Sequence, residues 1–107
     1  MVFVVQEDTN KNLSPALHYG EVKILLPPGQ VVFSPGPSIA RLRKALKNFS
    51  DDDYLLCVGD PVAIAMASMV AAENNVGKVK FLKWDRQEKK YLPIAVNLHN
   101  KENFDDG

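Results

Sequence analysis

The stretch Tyr-Leu-Leu-Cys-Val-Gly-Asp-Pro, residues 54–61, constrains the fold more than any other part of the chain. Tyr54 to Val58 is an unbroken apolar run. A strand without polar alternation is covered on both faces, as in the middle of a parallel sheet. Gly59 lets the chain turn sharply. Asp60 is a favoured N-cap, because its carboxylate accepts from free backbone N–H groups, and Pro61 suits the first helical position. The sequence therefore predicts a helix over Pro61–Asn74. Asn74-Asn75-Val76-Gly77 closes it and supplies asparagine and glycine for a left-handed cap. "KVKFLKW" then reads as the next strand. A strand–helix–strand unit of this length implies parallel pairing through a right-handed crossover.

The rest of the chain extends this pattern. Val2-Phe3-Val4-Val5 is β-branched and aromatic and predicts a first strand, followed by a polar loop, "EDTNKNLSP". "YGEVKILLPPG" predicts a second strand and "QVVFSPG" a third, which a tight Pro-Pro-Gly turn would pair as a hairpin. In "PSIARLRKALKNFS", Ile39, Leu42, Leu46 and Phe49 recur at helical spacing, with Arg41, Arg43, Lys44 and Lys47 on the remaining arc. A final strand, "YLPIAVNL", belongs at a sheet edge, because Pro93 cannot donate a ladder hydrogen bond. The expected architecture is α/β: one small mixed sheet, in the order β-β-β-α-β-α-β-β, with two helices packed on it. Residues 1–98 form one domain, and residues 99–107 form a polar tail.

A chain of 107 residues can bury a core without disulfides or metals. Thirteen basic residues balance thirteen acidic ones, so only local patches can argue for nucleic acid. The single cysteine, Cys57, lies in an apolar run and reads as a small buried hydrophobe. His18 and His99 form no zinc-site spacing with it. The N-terminus lacks the basic segment of a signal peptide, and the apolar run from Pro61 to Ala72 is too short to span a bilayer. A cytoplasmic protein is expected.

The helix at 61–74 is apolar around its circumference. A small two-layer domain has little material to cover such a helix on all sides. Ala63, Ala67 and Ala71 form a smooth ridge flanked by Met66 and Val70. These five residues are the expected interface with a second copy or with a partner protein.

Two further sites follow from residue type. Lys80, Lys83, Trp84, Arg86 and Lys90 interleave basic and aromatic side chains, the combination that binds single-stranded nucleic acid. The simpler account of them is a solvated hairpin. Ser34, Gly36, Ser38 and Gly59 lie at two helix N-termini beyond the ends of strands, where anions or nucleotides bind in open α/β sheets. Asp60 opposes this, since a carboxylate already fills that positive end, and no phosphate-loop motif is present. Asp51-Asp52-Asp53 reads as a turn, because adjacent residues of an extended segment point apart and cannot share a cation. No nucleophile–base arrangement is visible, so no enzyme activity, cofactor or metal is expected.

"LSPALHYGEVKILLPPGQ", "DDDYLLCVGDP" and "KFLKWDR" together resemble short proteins from tailed bacteriophage genomes, marine ones in particular, up to about Leu98. That resemblance implies a viral origin and expression in a bacterial host, so the expected cytoplasm is that of the host cell and the expected partner is a second copy or a host or phage protein. It transfers no site and no activity.

Overall fold

The computed structural model describes residues 1–29 and 35–99. Strand β1 is Val2–Gln6, and a 3₁₀ helix, Ser14–Tyr19, leads to β2, Val22–Leu26. Helix α1 is Gly36–Ala45, followed by β3, Tyr54–Leu56. Helix α2 is Pro61–Asn74, and the chain ends in β4, Lys78–Asp85, and β5, Lys90–Asn97. The strand expected at 30–36 lies outside the described residues except for Pro35 and Gly36, which begin α1. Of the expected tail only His99 is described.

The strands form one sheet in the order β2-β1-β3-β4-β5. The first four are parallel and β5 is antiparallel to β4. The apolar stretch at β3 is central as expected, and Pro93 lies on the edge strand. The hairpin expected between β2 and the strand at 30–36 rests on residues outside those described. β1 is parallel to both β2 and β3, with Val2 opposite Val22 and Tyr54. Residues 7–21 allow this, because a connection of that length, carrying its own helical turn, crosses over a sheet face rather than reversing at its edge.

The pleat divides the core in two. On one face Phe3, Val5, Leu25, Leu55 and Val79 pack under α1 and α2 with Leu42, Leu46 and Phe49. These last three are the α1 stripe read from the sequence. On the other face Val2, Val4, Leu56, Leu82 and Tyr91 pack under the 3₁₀ helix through Ala16, Leu13 and Tyr19. The Tyr19 hydroxyl donates to the Tyr91 carbonyl at 2.8 Å and fastens the 3₁₀ helix to β5.

Helix α2 corrects the expected interface. Ala63, Met66, Ala67, Val70 and Ala71 are all buried within this one chain, against the sheet and α1. The alanine ridge lets α2 sit close to β1 and β4, which is a physical reason for small residues there. The opposite pole, with Val62, Ala65 and Met69, faces solvent. The helix is apolar all round, yet only one side of it is covered.

The Asp60 cap forms as read: its carboxylate accepts from Val62 N–H at 2.8 Å and from Ala63 N–H. The other end departs from the expectation. Val76, not an asparagine or glycine alone, takes a left-handed φ of 54°, followed by Gly77 at 76°. A β-branched residue is disfavoured there. Val76→Asn is therefore expected to raise stability by about 1 kcal/mol, read as a higher urea midpoint with an unchanged slope.

Candidate functional site

The sheet order creates a topological switch at β1 and β3. The connection leaving β1 crosses the face of the 3₁₀ helix, and the connection leaving β3 becomes α2 on the other face. Two adjacent parallel strands whose connections leave by opposite faces open a crevice beyond their carboxyl ends. A crevice of about 580 Å³ lies there. One wall is the segment after β1, with Asp8, Asn10, Lys11 and Asn12. Cys57, Val58 and Gly59 follow β3, and Leu82, Trp84 and Tyr91 come from the β4–β5 hairpin.

Local bonds shape the polar wall. Asp8 Oδ1 accepts from Asn10 N–H at 2.9 Å, and Asn12 Oδ1 accepts from Ser14 N–H at 3.0 Å. These side-chain-to-backbone turns hold the loop without a regular ladder. On the opposite wall the Trp84 ring is 41% exposed and rests edge-on against buried Tyr91, with centroids 4.9 Å apart. Cys57 is exposed, which corrects the expectation of a buried hydrophobe. Its N–H reaches Leu82 O at 3.4 Å, so the residue belongs to the strand end rather than to the core. The crevice walls nonetheless desolvate its thiol and push the pKa up, the reverse of an activated nucleophile.

Gln6, which the sequence reading passed over, organises this end of the sheet. It is the buried polar side chain at the end of β1. Its Nε2 donates to Pro27 O at 2.9 Å and to Gly29 O, and its Oε1 accepts from Asp60 N–H at 2.7 Å. One carboxamide thus joins the end of β2 to the start of α2. The available signal was a lone polar residue directly following four apolar strand positions.

The expected anion set is not assembled as such. Ser34 lies outside the described residues. Gly36 has open space around it, whereas Gly59 packs on Gln6. At the α2 N-terminus the Asp60 carboxylate and Gln6 already take the donors at residues 60, 62 and 63. Ser38, in the first turn of α1, is half-buried. The basic-aromatic set is divided by strand alternation. Lys80 and Trp84 share the 3₁₀-helix side of β4, while Lys83 points to the other side, level with Leu92, and Lys90 sits opposite Asp85. Arg86 lies in the turn. Lys80 is engaged, with Nζ 4.2 Å from the Tyr54 ring centre. The three aspartates separate as expected. Asp51 accepts from the Asn75 carboxamide and then from Lys78 Nζ, each at 2.9 Å, and these bonds hold its carboxyl below the usual range. Asp53 meets the N-terminal ammonium at 3.2 Å. Among the described residues no group of three His, Cys, Asp or Glu could hold a metal ion.

Compared with known proteins, residues 1–98 match the family model described as Phage Pam3 gp32-like protein. The chain belongs to the Phage Pam3 gp32-like family. The match takes in every strand and helix described above, so both the crevice and the outer side of α2 lie within the region that defines the family. Its phage origin agrees with the resemblance noted in the sequence. No curated protein and no solved structure matches the chain. Among the described residues no helix of this family member is long and apolar enough to cross a membrane.

A second surface is less polar than the crevice. α2 covers β3 and β4 but leaves β5 bare on the same face. Leu92, Ile94 and Val96 alternate along that uncovered face of β5. A groove between β5 and α2 is lined by Met69, Ala72, Phe81, Val96 and Leu98. Val76 and His99 continue the surface past the end of the helix.

Proposed function

We propose that this phage protein is a non-catalytic interaction module that self-associates through the outer flank of α2 and the adjoining face of β5. The observation that carries the reading is the run of exposed large apolar side chains there. Met69 is 62%, Val76 72%, Leu98 52% and Ile94 44% exposed. Scattered apolar residues on a surface need no explanation, but a continuous strip beside an uncovered edge strand is typical of an interface. Val76 adds weight, since it combines an unfavourable backbone angle with an exposed β-branched side chain.

A second copy is the occupant we favour. The strip carries its charges toward its ends, Lys83, Asp85 and Arg86 at one and Glu73 beside Val76 at the other, so two copies related by a two-fold axis would pair it antiparallel and keep the two basic ends apart. An interface of this kind buries roughly 800 Å² per partner when stable. Light scattering of the full chain is expected to give a dimer at high micromolar concentration. Met69→Glu and Ile94→Glu, both at exposed positions, are expected to return it to monomer, weakening association at least about tenfold with an unchanged circular-dichroism spectrum. A wild-type monomer throughout that range ends the self-association reading.

A further inference from the structure

The crevice at the β1/β3 switch opens on the opposite face of β4 and β5 from the self-association strip, and the two approach each other only at the hairpin tip, where Trp84 also borders Leu92 and Ile94. We propose that this crevice is a binding site for a free nucleoside or mononucleotide, held by its base. Its size suits a small organic ligand, and its position is where open parallel sheets bind them. The two walls differ in chemistry. Trp84 offers a half-exposed ring held in one orientation by its contact with Tyr91, and Tyr91 is itself seated in the core with its carbonyl tied to Tyr19. A fixed ring at a cleft wall favours a flat partner, since stacking on it costs no reordering.

The facing loop offers hydrogen-bonding groups that the fold leaves unused. The Asn10 carboxamide and the Lys11 ammonium have no partner among the described residues. Asn12 uses its Oδ1 in a turn and keeps Nδ2. Carboxamides present a donor beside an acceptor, which is the pattern on the edges of nucleobases. Asn10, Lys11 and Asn12 are exposed, and a lipid or plain hydrocarbon would gain no hydrogen bond from them, whereas a base edge would. An inorganic polyanion would meet Asp8 in the same turn as Lys11, and would find the N-terminus of α2 already capped. A base with its sugar meets both walls, and Lys11 is the basic side chain among the lining residues that a 5′-phosphate would meet.

The chain carries two built-in reporters, since it has one tryptophan and one cysteine, and both line the crevice. The four common ribonucleosides and their 5′-monophosphates are titrated into the full chain. Trp84 fluorescence and the rate of Cys57 labelling by a disulfide reagent are followed in parallel. At least one compound is expected to quench Trp84 saturably, with a dissociation constant of about 1 mM or below. The same compound is expected to slow Cys57 labelling at least about fivefold with the same midpoint, since burial of a thiol controls its access. Asn10→Ala is expected to weaken both responses roughly tenfold, the size of one lost bidentate base contact. Trp84→Leu is expected to abolish the Cys57 protection while leaving the unfolding midpoint within the range of a surface change. A 5′-monophosphate that binds more tightly than its nucleoside, with the difference lost in Lys11→Ala, assigns the phosphate to Lys11. Absence of saturation by all eight compounds overturns the proposal. So does quenching without protection of Cys57, or saturation only by an oligonucleotide, because each places the ligand elsewhere.

Discussion

Gly59→Ala is expected to cost the fold about 3–4 kcal/mol, the sum of a forbidden backbone angle and a steric collision. Gly59 has a φ of 134°, a region that residues with a Cβ rarely adopt. A Cβ at this position would sit 2.5 Å from Gln6 Cβ and 2.8 Å from Gln6 Oε1. Relief by moving Gln6 is blocked, because its stem is fixed in β1 and its carboxamide bonds Pro27, Gly29 and Asp60. Displacing it would leave the Asp60 N–H and the amide of Gln6 without partners in a partly buried site, which is expensive. Urea unfolding monitored by circular dichroism measures the cost. A midpoint equal to wild type would mean that the turn between β3 and α2 does not have this shape.

The second large effect separates two neighbouring positions on α2. Ala67→Glu is expected to destabilise the chain by more than about 4 kcal/mol, enough to prevent folding in a domain of ordinary stability. Ala67 is fully buried between α1 and the sheet, with no space for a longer side chain and no basic partner for a carboxylate. Met69→Glu, only two residues further on, is expected to change the stability of the monomer by less than about 0.5 kcal/mol, measured at concentrations too low for self-association, because Met69 projects outward from its own chain. Thermal unfolding of the two variants side by side makes the comparison. If Ala67→Glu folded normally while Met69→Glu did not, α2 would be rotated by about half a turn from the orientation described.

That contrast also shows where reading the sequence stopped. The α1 stripe was legible because its polar arc contrasts with Leu42, Leu46 and Phe49, so periodicity alone assigned the inward side. α2 has no such contrast. Val62, Ala65 and Met69 are as apolar as Ala63, Ala67 and Val70, and nothing local says which side meets the sheet. The alanine ridge was read as an outward contact surface, whereas its small size serves close packing inward. Cys57 was misplaced for a related reason: it continues an apolar run, but β3 ends one residue before it and the strand end opens on the crevice. The nucleic-acid set was legible as residue types only, since the two-residue alternation of β4 sends Lys80 and Trp84 to one face and Lys83 to the other.

What the sequence determined by itself was local: the Asp60 cap and Pro61 start of α2, the central place of β3, the edge place of β5 fixed by Pro93, and the packed side of α1. Each rests on the geometry of one segment, on an available N–H, a fixed φ or a period of side chains. The tertiary structure alone decided the parallel placement of β1 between β2 and β3, the inward side of α2, the three-way bond of Gln6 and the crevice where Asn10, Gly59 and Trp84 meet. Those depend on which distant segments become neighbours, and that choice is made by the burial of the whole sheet rather than by any one stretch of it.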